Sequence, residues 1–196
     1  MKRSFLSAII TYLLFLNAPF VSGQQDSFSR YMDHPWVDSV LSSLSLEELK
    51  AQSLWIRTGP GGGLHELLET ARFVSTHGLG GLILAELPSA EKQELVEYCL
   101  SLSSLPPVLA LEGRWSKEYP DLNTLSAIAS DSLRYEAGSC LATQMGEKGV
   151  SLLLSKDMDK ALAAGLQDMH IQILDPSGIQ ALTIGEADER MNTSMD

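Results

Sequence analysis

Short apolar runs that alternate with longer segments of helical periodicity are the feature that most constrains the fold of this chain. The apolar runs cover residues 53–57, 81–85, 107–111 and 150–154. The helical patterns beside them cover residues 45–51, 64–77, 89–102, 130–148 and 157–166. Strands without polar alternation are typical of parallel sheets whose two faces are covered by helices. The sequence therefore predicts an α/β fold.

The C-terminal part departs from this rhythm. Residues 171–174 and 179–184 are predicted strands, and the segment Asp175-Pro176-Ser177-Gly178 lies between them. Pro at the second position and Gly at the fourth favour a tight turn, and a tight turn makes the flanking strands antiparallel neighbours. We therefore expect a C-terminal β-hairpin, followed by a polar and frayed segment over residues 185–196.

The N-terminus has the features of an export signal. Lys2 and Arg3 precede an apolar run over residues 5–16, and Val21-Ser22-Gly23 offers small residues for cleavage. Residues 1–23 are therefore predicted to be a signal peptide, with one domain over residues 24–196 in a periplasmic or extracellular location. An uncleaved anchor is the alternative, but the apolar run is shorter than the roughly 20 residues that span a bilayer. We expect no membrane association after cleavage.

Charge and motif content exclude several classes of function. The chain has 14 basic and 25 acidic residues, a formal charge of −11, so we expect no nucleic-acid partner, because phosphate contacts need a basic surface. The histidines and the glycine-rich segment 59–63 form no metal or phosphate motif, so no cofactor and no metal are predicted. Cys99 and Cys140 lie at apolar positions of helical patterns, which favours buried free thiols over a disulfide.

A series of segments, in order, resembles a known family. They are WVDSV (36–40), LSLEE (44–48), GLGGLI (78–83), LSSLPPVLALEGRW (102–115), NTLSAI (123–128) and YEAG (135–138). Together they resemble the N-terminal domain of glycoside hydrolase family 3, in particular its bacterial β-N-acetylhexosaminidases, over about residues 35–154. The resemblance implies a (β/α)8 barrel with its sugar site at the carboxyl ends of the strands.

Chain length limits how much of that barrel is expected. A complete barrel takes roughly 250 residues, whereas 173 of the 196 residues remain after the predicted cleavage. We therefore expect a partial (β/α)8 TIM-barrel-like fold of about four βα units, ending in the hairpin described above.

The resemblance suggests two substrate-binding residues. The third strand of the family ends in an Ala-x-Asp-x-Glu-Trp-Gly pattern, whose Asp holds hydroxyls of the terminal sugar, and residues 110–116 match it in altered form. Glu112 stands at the position of that Asp, and Trp115 follows on the side of the expected site. The alternative is that Glu112 is paired with Arg114 at a solvated rim.

The same comparison predicts no catalytic residue. The family carries a Lys-His-Phe-Pro-Gly-His-Gly loop with the acid/base His, and an Asp nucleophile on a later strand, and neither segment has a counterpart in this sequence. A substitute pair would have to come from strand-end acids, which would need to lie about 5 Å apart for a retaining mechanism. The candidates are Glu112, Asp157, Asp159 and Asp175.

Two functions follow as expectations. The first is an exported protein related to enzymes that hydrolyse β-linked N-acetylglucosamine in cell-wall or chitin fragments, but catalytically degenerate, with an amino-sugar-containing oligosaccharide as its partner. The second is a non-catalytic protein-interaction module. An open α/β sheet exposes strand edges, and another copy of the chain in a homo-oligomer could cover them.

Overall fold

The computed structural model describes residues 33–58, 64–114 and 120–193. The chain divides into two compact units, residues 1–42 and residues 43–196. Helix α1 (Pro35–Ser43) is the described helix of the first unit. The predicted signal peptide, residues 1–23, lies outside the described residues. Within the described ranges, no helix has both the length and the apolar character needed to cross a membrane.

The second unit alternates strands with helices, as the apolar pattern predicts. The strands are β1 (Trp55–Arg57), β2 (Gly81–Glu86), β3 (Val108–Arg114), β4 (Leu152–Leu154), β5 (Gln172–Leu174) and β6 (Ala181–Leu182). The helices are α2 (Leu46–Gln52), α3 (Leu64–His77), α4 (Ala90–Ser101), α5 (Leu122–Ser126), α6 (Asp131–Glu147), α7 (Lys160–Asp168) and α8 (Ile184–Thr193). A short 3-10 helix, Pro176–Gly178, lies between β5 and β6.

All six described strands form one parallel sheet in the order β5-β4-β3-β2-β1-β6. Strands β1 to β5 lie side by side in chain order, as successive strands of a (β/α)8 barrel do. Strand β6 lies on the other side of β1, where the last strand of such a barrel would close the cylinder. The predicted α/β fold, a partial TIM-barrel-like domain, is confirmed.

The predicted C-terminal hairpin is wrong. Strand β5 pairs with β4, strand β6 pairs with β1, and both pairings are parallel. The segment between them forms the 3-10 helix, because the Asp175 carboxylate caps it by accepting a hydrogen bond from the Ser177 N–H at 2.8 Å. Asp, Pro and Gly thus mark a local bend, and the chain then crosses from one end of the sheet to the other.

The segment expected to be frayed is instead a packed helix. Thr183 and Glu186 form reciprocal hydrogen bonds that cap α8, since the Thr183 N–H donates to Glu186 Oε2 at 2.7 Å. Ala187 and Met191 are buried and lie one turn apart on the same face of α8. The polar residues of this segment form its solvent-exposed face, whereas the buried Ala187 and Met191 side chains determine how the helix packs.

The inner face of the curved sheet is filled by apolar side chains. Its buried members are Ile83, Ala110, Leu152 and Leu154, and the partly buried Trp55, Val108, Leu174, Ile179 and Ala181 pack against them. The Trp55 ring covers Gly81 so closely that a Cβ added there would lie 2.2 Å from the ring. Because this interior is filled as in other barrels of this kind, a ligand site is expected at the ends of the strands.

The two cysteines differ in their burial. Cys99 is buried, as predicted, and burial raises the pKa of its thiol to about 11. Cys140 is exposed, so the prediction of a second buried thiol is wrong. The buried positions of α6 are Gly138, Leu141, Ala142 and Met145, and Cys140 falls outside that face. Both cysteines are free thiols.

Candidate functional site

The carboxyl ends of the parallel strands meet at one edge of the sheet, which we call the carboxyl-end rim. It is the edge where parallel α/β barrels place their functional side chains. The polar residues that the described strands bring there are Arg57, Thr58, Glu86, Glu112, Ser155, Lys156 and Asp175.

Glu112 and Arg57 form a hydrogen-bonded ion pair across this rim. The Arg57 Nη2 donates to Glu112 Oε1 at 3.0 Å, and the Arg57 Nε lies 2.7 Å from Glu112 Oε2. Both side chains lie on the inner face of the sheet, because Trp55 and Ala110, two residues earlier on each strand, pack inside it. The pair therefore bridges β1 and β3 over the intervening β2.

The ion pair is accessible to solvent. The Arg57 side chain is 47% exposed and the Glu112 side chain is 30% exposed, so a ligand at the rim can reach both. Arg114 is the partner of Glu112 that the sequence suggests, whereas the described partner is Arg57. The side chain of Arg114 and the whole of Trp115 lie outside the described residues. Substrate binding by Glu112 and Trp115 stays a prediction.

Asp159, one of the strand-end acids, caps a helix. Its Oδ1 accepts hydrogen bonds from the backbone N–H groups of Ala161 at 2.9 Å and Leu162 at 3.1 Å, and from Arg134 Nε at 3.0 Å. These bonds, above all the one from Leu162, and the nearby Arg134 charge lower the pKa of Asp159. Arg134 also donates to Asp131 and to the Ile128 carbonyl, so it ties the start of α6 to the start of α7.

Asp175 has a similar structural role. Its hydrogen bonds with Ser177 lower the pKa of the Asp175 carboxyl, and the Lys156 charge adds to the effect. A general acid in glycoside hydrolysis needs a raised pKa so that it carries a proton near neutral pH. The pKa values of Asp159 and Asp175 are shifted in the opposite direction, below their ordinary values. Asp157, the remaining candidate, is exposed.

Arg57 is the rim residue that sequence reasoning missed. It ends the first predicted strand, and its position two residues after Trp55 places it on the same face. The pairing with Glu112 depends on the registers of β1 with β2 and of β2 with β3, in which Arg57, Ile83 and Ala110 lie level. Such a relation between non-adjacent strands has no local sequence signal.

A cavity of about 20 Å³ lies beside the rim, lined by Thr58, Leu84, Glu86 and Lys92 among other described residues, which is room for about one water molecule. Larger grooves lie elsewhere, one of about 640 Å³ along β6 and α8 and one of about 380 Å³ between α3 and α8. Within the described part of the chain, no group of three or more His, Cys, Asp or Glu is arranged to hold a metal ion.

Sequence comparison and structure comparison give different results. No protein-family model matches the chain, and no curated protein matches it. Among solved structures, LpqI from M tuberculosis is similar with a TM-score of 0.54 and 14% identity, over 69% of this chain and 49% of that one. A glycoside hydrolase family 3 β-N-acetylglucosaminidase from Paenibacillus sp. str. FPU-7 is similar with a TM-score of 0.52 and 15% identity, over 67% and 32%.

A β-N-acetylhexosaminidase from Beutenbergia cavernae DSM 12333 is similar to the same degree, with a TM-score of 0.52 and 15% identity, over 66% of this chain and 52% of that chain. The chain thus spans about half, or less, of the length of these proteins. At such low identities the similarity concerns the fold. The described domain has the fold of part of a barrel. It shares this fold with several solved structures, one of which is a glycoside hydrolase family 3 β-N-acetylglucosaminidase.

Proposed function

We propose that this chain is an exported protein related to glycoside hydrolase family 3, which binds β-linked N-acetylglucosamine of cell-wall or chitin fragments at its carboxyl-end rim without hydrolysing it. The observation that carries the proposal is the position of Glu112. Its carboxylate lies on the inner face at the end of β3, 30% exposed, in a fold shared with a β-N-acetylglucosaminidase and a β-N-acetylhexosaminidase. A carboxylate there can accept hydrogen bonds from sugar hydroxyls.

The absence of hydrolysis is supported by the bonding partners of the acidic residues at the carboxyl-end rim. Hydrolysis with a pair of carboxyl groups needs one that is protonated and one that is free to attack or to activate water. Glu112 is held by Arg57, and Asp159 and Asp175 cap helices with a lowered pKa. The lowered pKa values of Asp159 and Asp175 are opposite to the shift that a general acid needs.

Titration of the full chain with chitobiose, followed by calorimetry or NMR, tests sugar binding. We expect measurable binding, and a loss of affinity of about tenfold in Glu112→Gln, since hydrogen bonds to a charged group are worth about that much. Glu136→Gln, an exposed Glu on α6, is the matched control and should bind like the wild type. Unchanged affinity in Glu112→Gln would contradict a role for this carboxylate.

A chromogenic β-N-acetylglucosaminide tests the absence of hydrolysis. We expect no turnover above the level of a blank. Turnover that a single carboxylate substitution abolishes would show that the chain is an active glycosidase.

A protein-interaction module is the second candidate, and the ends of the sheet favour it. Strands β5 and β6 each have one edge without a strand neighbour among the described residues, and open edges tend to pair with other chains. Sedimentation velocity over a range of concentrations separates the two functions. Dimerisation that rises with concentration and is insensitive to chitobiose supports an interaction module, whereas a monomer at all concentrations contradicts a homo-oligomer.

A further inference from the structure

A groove of about 380 Å³ lies between helices α3 and α8. None of its described lining residues belongs to the carboxyl-end rim, so the groove is separate from the site described above. Its volume falls in the range of about 300–1,000 Å³ that is typical of small-molecule sites. Gly185 lines the groove at the start of α8, and a Cβ added there would meet no atom within 4 Å. The groove is therefore open at this position.

The buried part of the lining is apolar. Phe73 on α3 is buried, and Ile184 on α8 is partly buried against the same core. The centroid of the His77 ring lies 5.1 Å from that of the Phe73 ring. The Nδ1 atom of His77 lies 3.9 Å from the Glu47 carboxylate on α2, so Glu47 matches the charge of this histidine when it is protonated. The groove therefore offers apolar contact area to an aliphatic group.

Charges of both signs accompany this apolar area. Glu69 and Arg72 lie one turn apart on α3, and Asp188 lines the groove from the other helix, α8. All three residues are exposed. Within the described part of the chain, none of their side chains forms an ion pair or a hydrogen bond. Their charges are therefore available to a ligand in the groove.

These features together favour a ligand with two opposite charges and an apolar group. A cation without a carboxylate would leave Arg72 unmatched, and an anion without an amine would be repelled by Glu69 and Asp188. A zwitterion satisfies both signs, because a guanidinium group binds carboxylates through its planar fork of donors and an ammonium group donates strong hydrogen bonds to carboxylate side chains.

We infer that the groove between α3 and α8 binds an apolar α-amino acid such as leucine. The amino-acid carboxylate binds Arg72, the ammonium group binds Asp188, and the side chain packs against Phe73 and Ile184. The ligand then bridges the two helices. This site does not depend on sugar binding at the carboxyl-end rim, so the inference and the proposed function are tested separately.

Titration of the full chain with L-leucine, followed by calorimetry or NMR, tests the inference. Isoamylamine lacks the carboxylate of leucine, isocaproate lacks its ammonium group, and glycine lacks its aliphatic side chain. We expect leucine to bind at least about tenfold more tightly than each of these, because a hydrogen bond to a charged group and the burial of an aliphatic side chain are each worth about that much. This comparison uses the wild type alone, so it does not depend on the folding of a variant.

Two substitutions test the assigned contacts. Arg72→Gln should abolish the preference for leucine over isoamylamine, and Asp188→Asn should abolish the preference for leucine over isocaproate. Glu189→Gln and Arg190→Gln are the matched controls, because these two residues line the other groove of α8, and both variants should retain both preferences. The inference is overturned if leucine does not bind, if leucine and its analogues bind equally, or if either Arg72→Gln or Asp188→Asn keeps the wild-type preference.

Discussion

At the scale of single residues, the rim is organised by the contact between Arg57 and Glu112. Both side chains are partly solvated, so water screens their attraction and both lose side-chain entropy when held in one geometry. The pair is therefore better suited to orienting two functional groups than to stabilising the domain. Glu112 was recognisable as a candidate because a sequence pattern covers it. Arg57 was not, because its contact depends on the registers of three strands.

A double-mutant cycle should show that the ion pair contributes little to stability. We expect a coupling free energy below about 1 kcal/mol from the urea unfolding of the wild type, Arg57→Gln, Glu112→Gln and the double variant. A coupling of several kcal/mol would indicate instead that the pair is a main structural element of the rim.

The two thiols should differ in reactivity. Burial raises the pKa of Cys99 to about 11, so at mildly alkaline pH almost no reactive thiolate forms, whereas Cys140 is exposed. We expect a thiol reagent to modify Cys140 at least about a hundredfold faster than Cys99. Cys140→Ser should remove the fast phase and leave the slow one. Equal rates in the native protein would contradict the buried position of Cys99.

At the scale of elements, two glycines allow the backbones of helices α6 and α7 to pack in direct contact. A Cβ added at Gly138 would lie 2.3 Å from the Leu162 carbonyl oxygen, and one added at Gly165 would lie 2.1 Å from the Tyr135 carbonyl oxygen. Backbone thus touches backbone at the crossing, and there is no flexible side chain to move aside. The close approach also lets the Tyr135 hydroxyl donate to Asp168 at 2.8 Å.

Replacing the glycine at this crossing should destabilise the domain. We expect Gly165→Ala to lower the free energy of unfolding by about 1–3 kcal/mol or more, because the two backbones must separate. Gly146→Ala is the matched control, since Gly146 lies in α6 with nothing within 4 Å of an added Cβ. There the substitution should stabilise by up to about 1 kcal/mol, because Ala favours helix. Urea unfolding measures both, and equal effects would contradict the tight crossing.

The elements themselves were largely predictable, because their signals are local. The capping box of Ser45 and Glu48 starts α2 within the predicted helical segment 45–51, and Gly78 and Gly149 adopt the positive φ that ends a helix. The partners of β5 and β6 were not predictable from the intervening turn. That turn fixes a bend over a few residues, whereas strand pairing depends on burial of apolar side chains far apart in the chain.

At the scale of the whole molecule, acid sensitivity is expected because several carboxylates serve as caps. Four of them have a lowered pKa because they accept hydrogen bonds from backbone or hydroxyl groups, namely Glu48, Asp159, Asp175 and Glu186. A carboxyl whose pKa is lower in the folded state stabilises the fold above its unfolded pKa. That contribution is lost as the pH falls through the folded value.

Thermal unfolding as a function of pH should reveal this loss. The ordinary pKa values are 3.8 for Asp159 and 4.5 for Glu186, so we expect the melting temperature to fall as the pH drops from about 5 towards 2. Asp159→Asn should have a lower melting temperature near neutral pH and a shallower decline, because one titrating cap is removed. A decline as steep as that of the wild type would contradict the role of Asp159.

The pairing of β6 with β1 affects how the domain can form during synthesis. Trp55 and Ala181 are partners although roughly 125 residues separate them. Contacts between such distant positions slow folding, because a long segment must be ordered before they form. During synthesis, one edge of β1 therefore stays unpaired until β6 has emerged from the ribosome. The nascent chain is exposed to aggregation or chaperone capture for most of its translation.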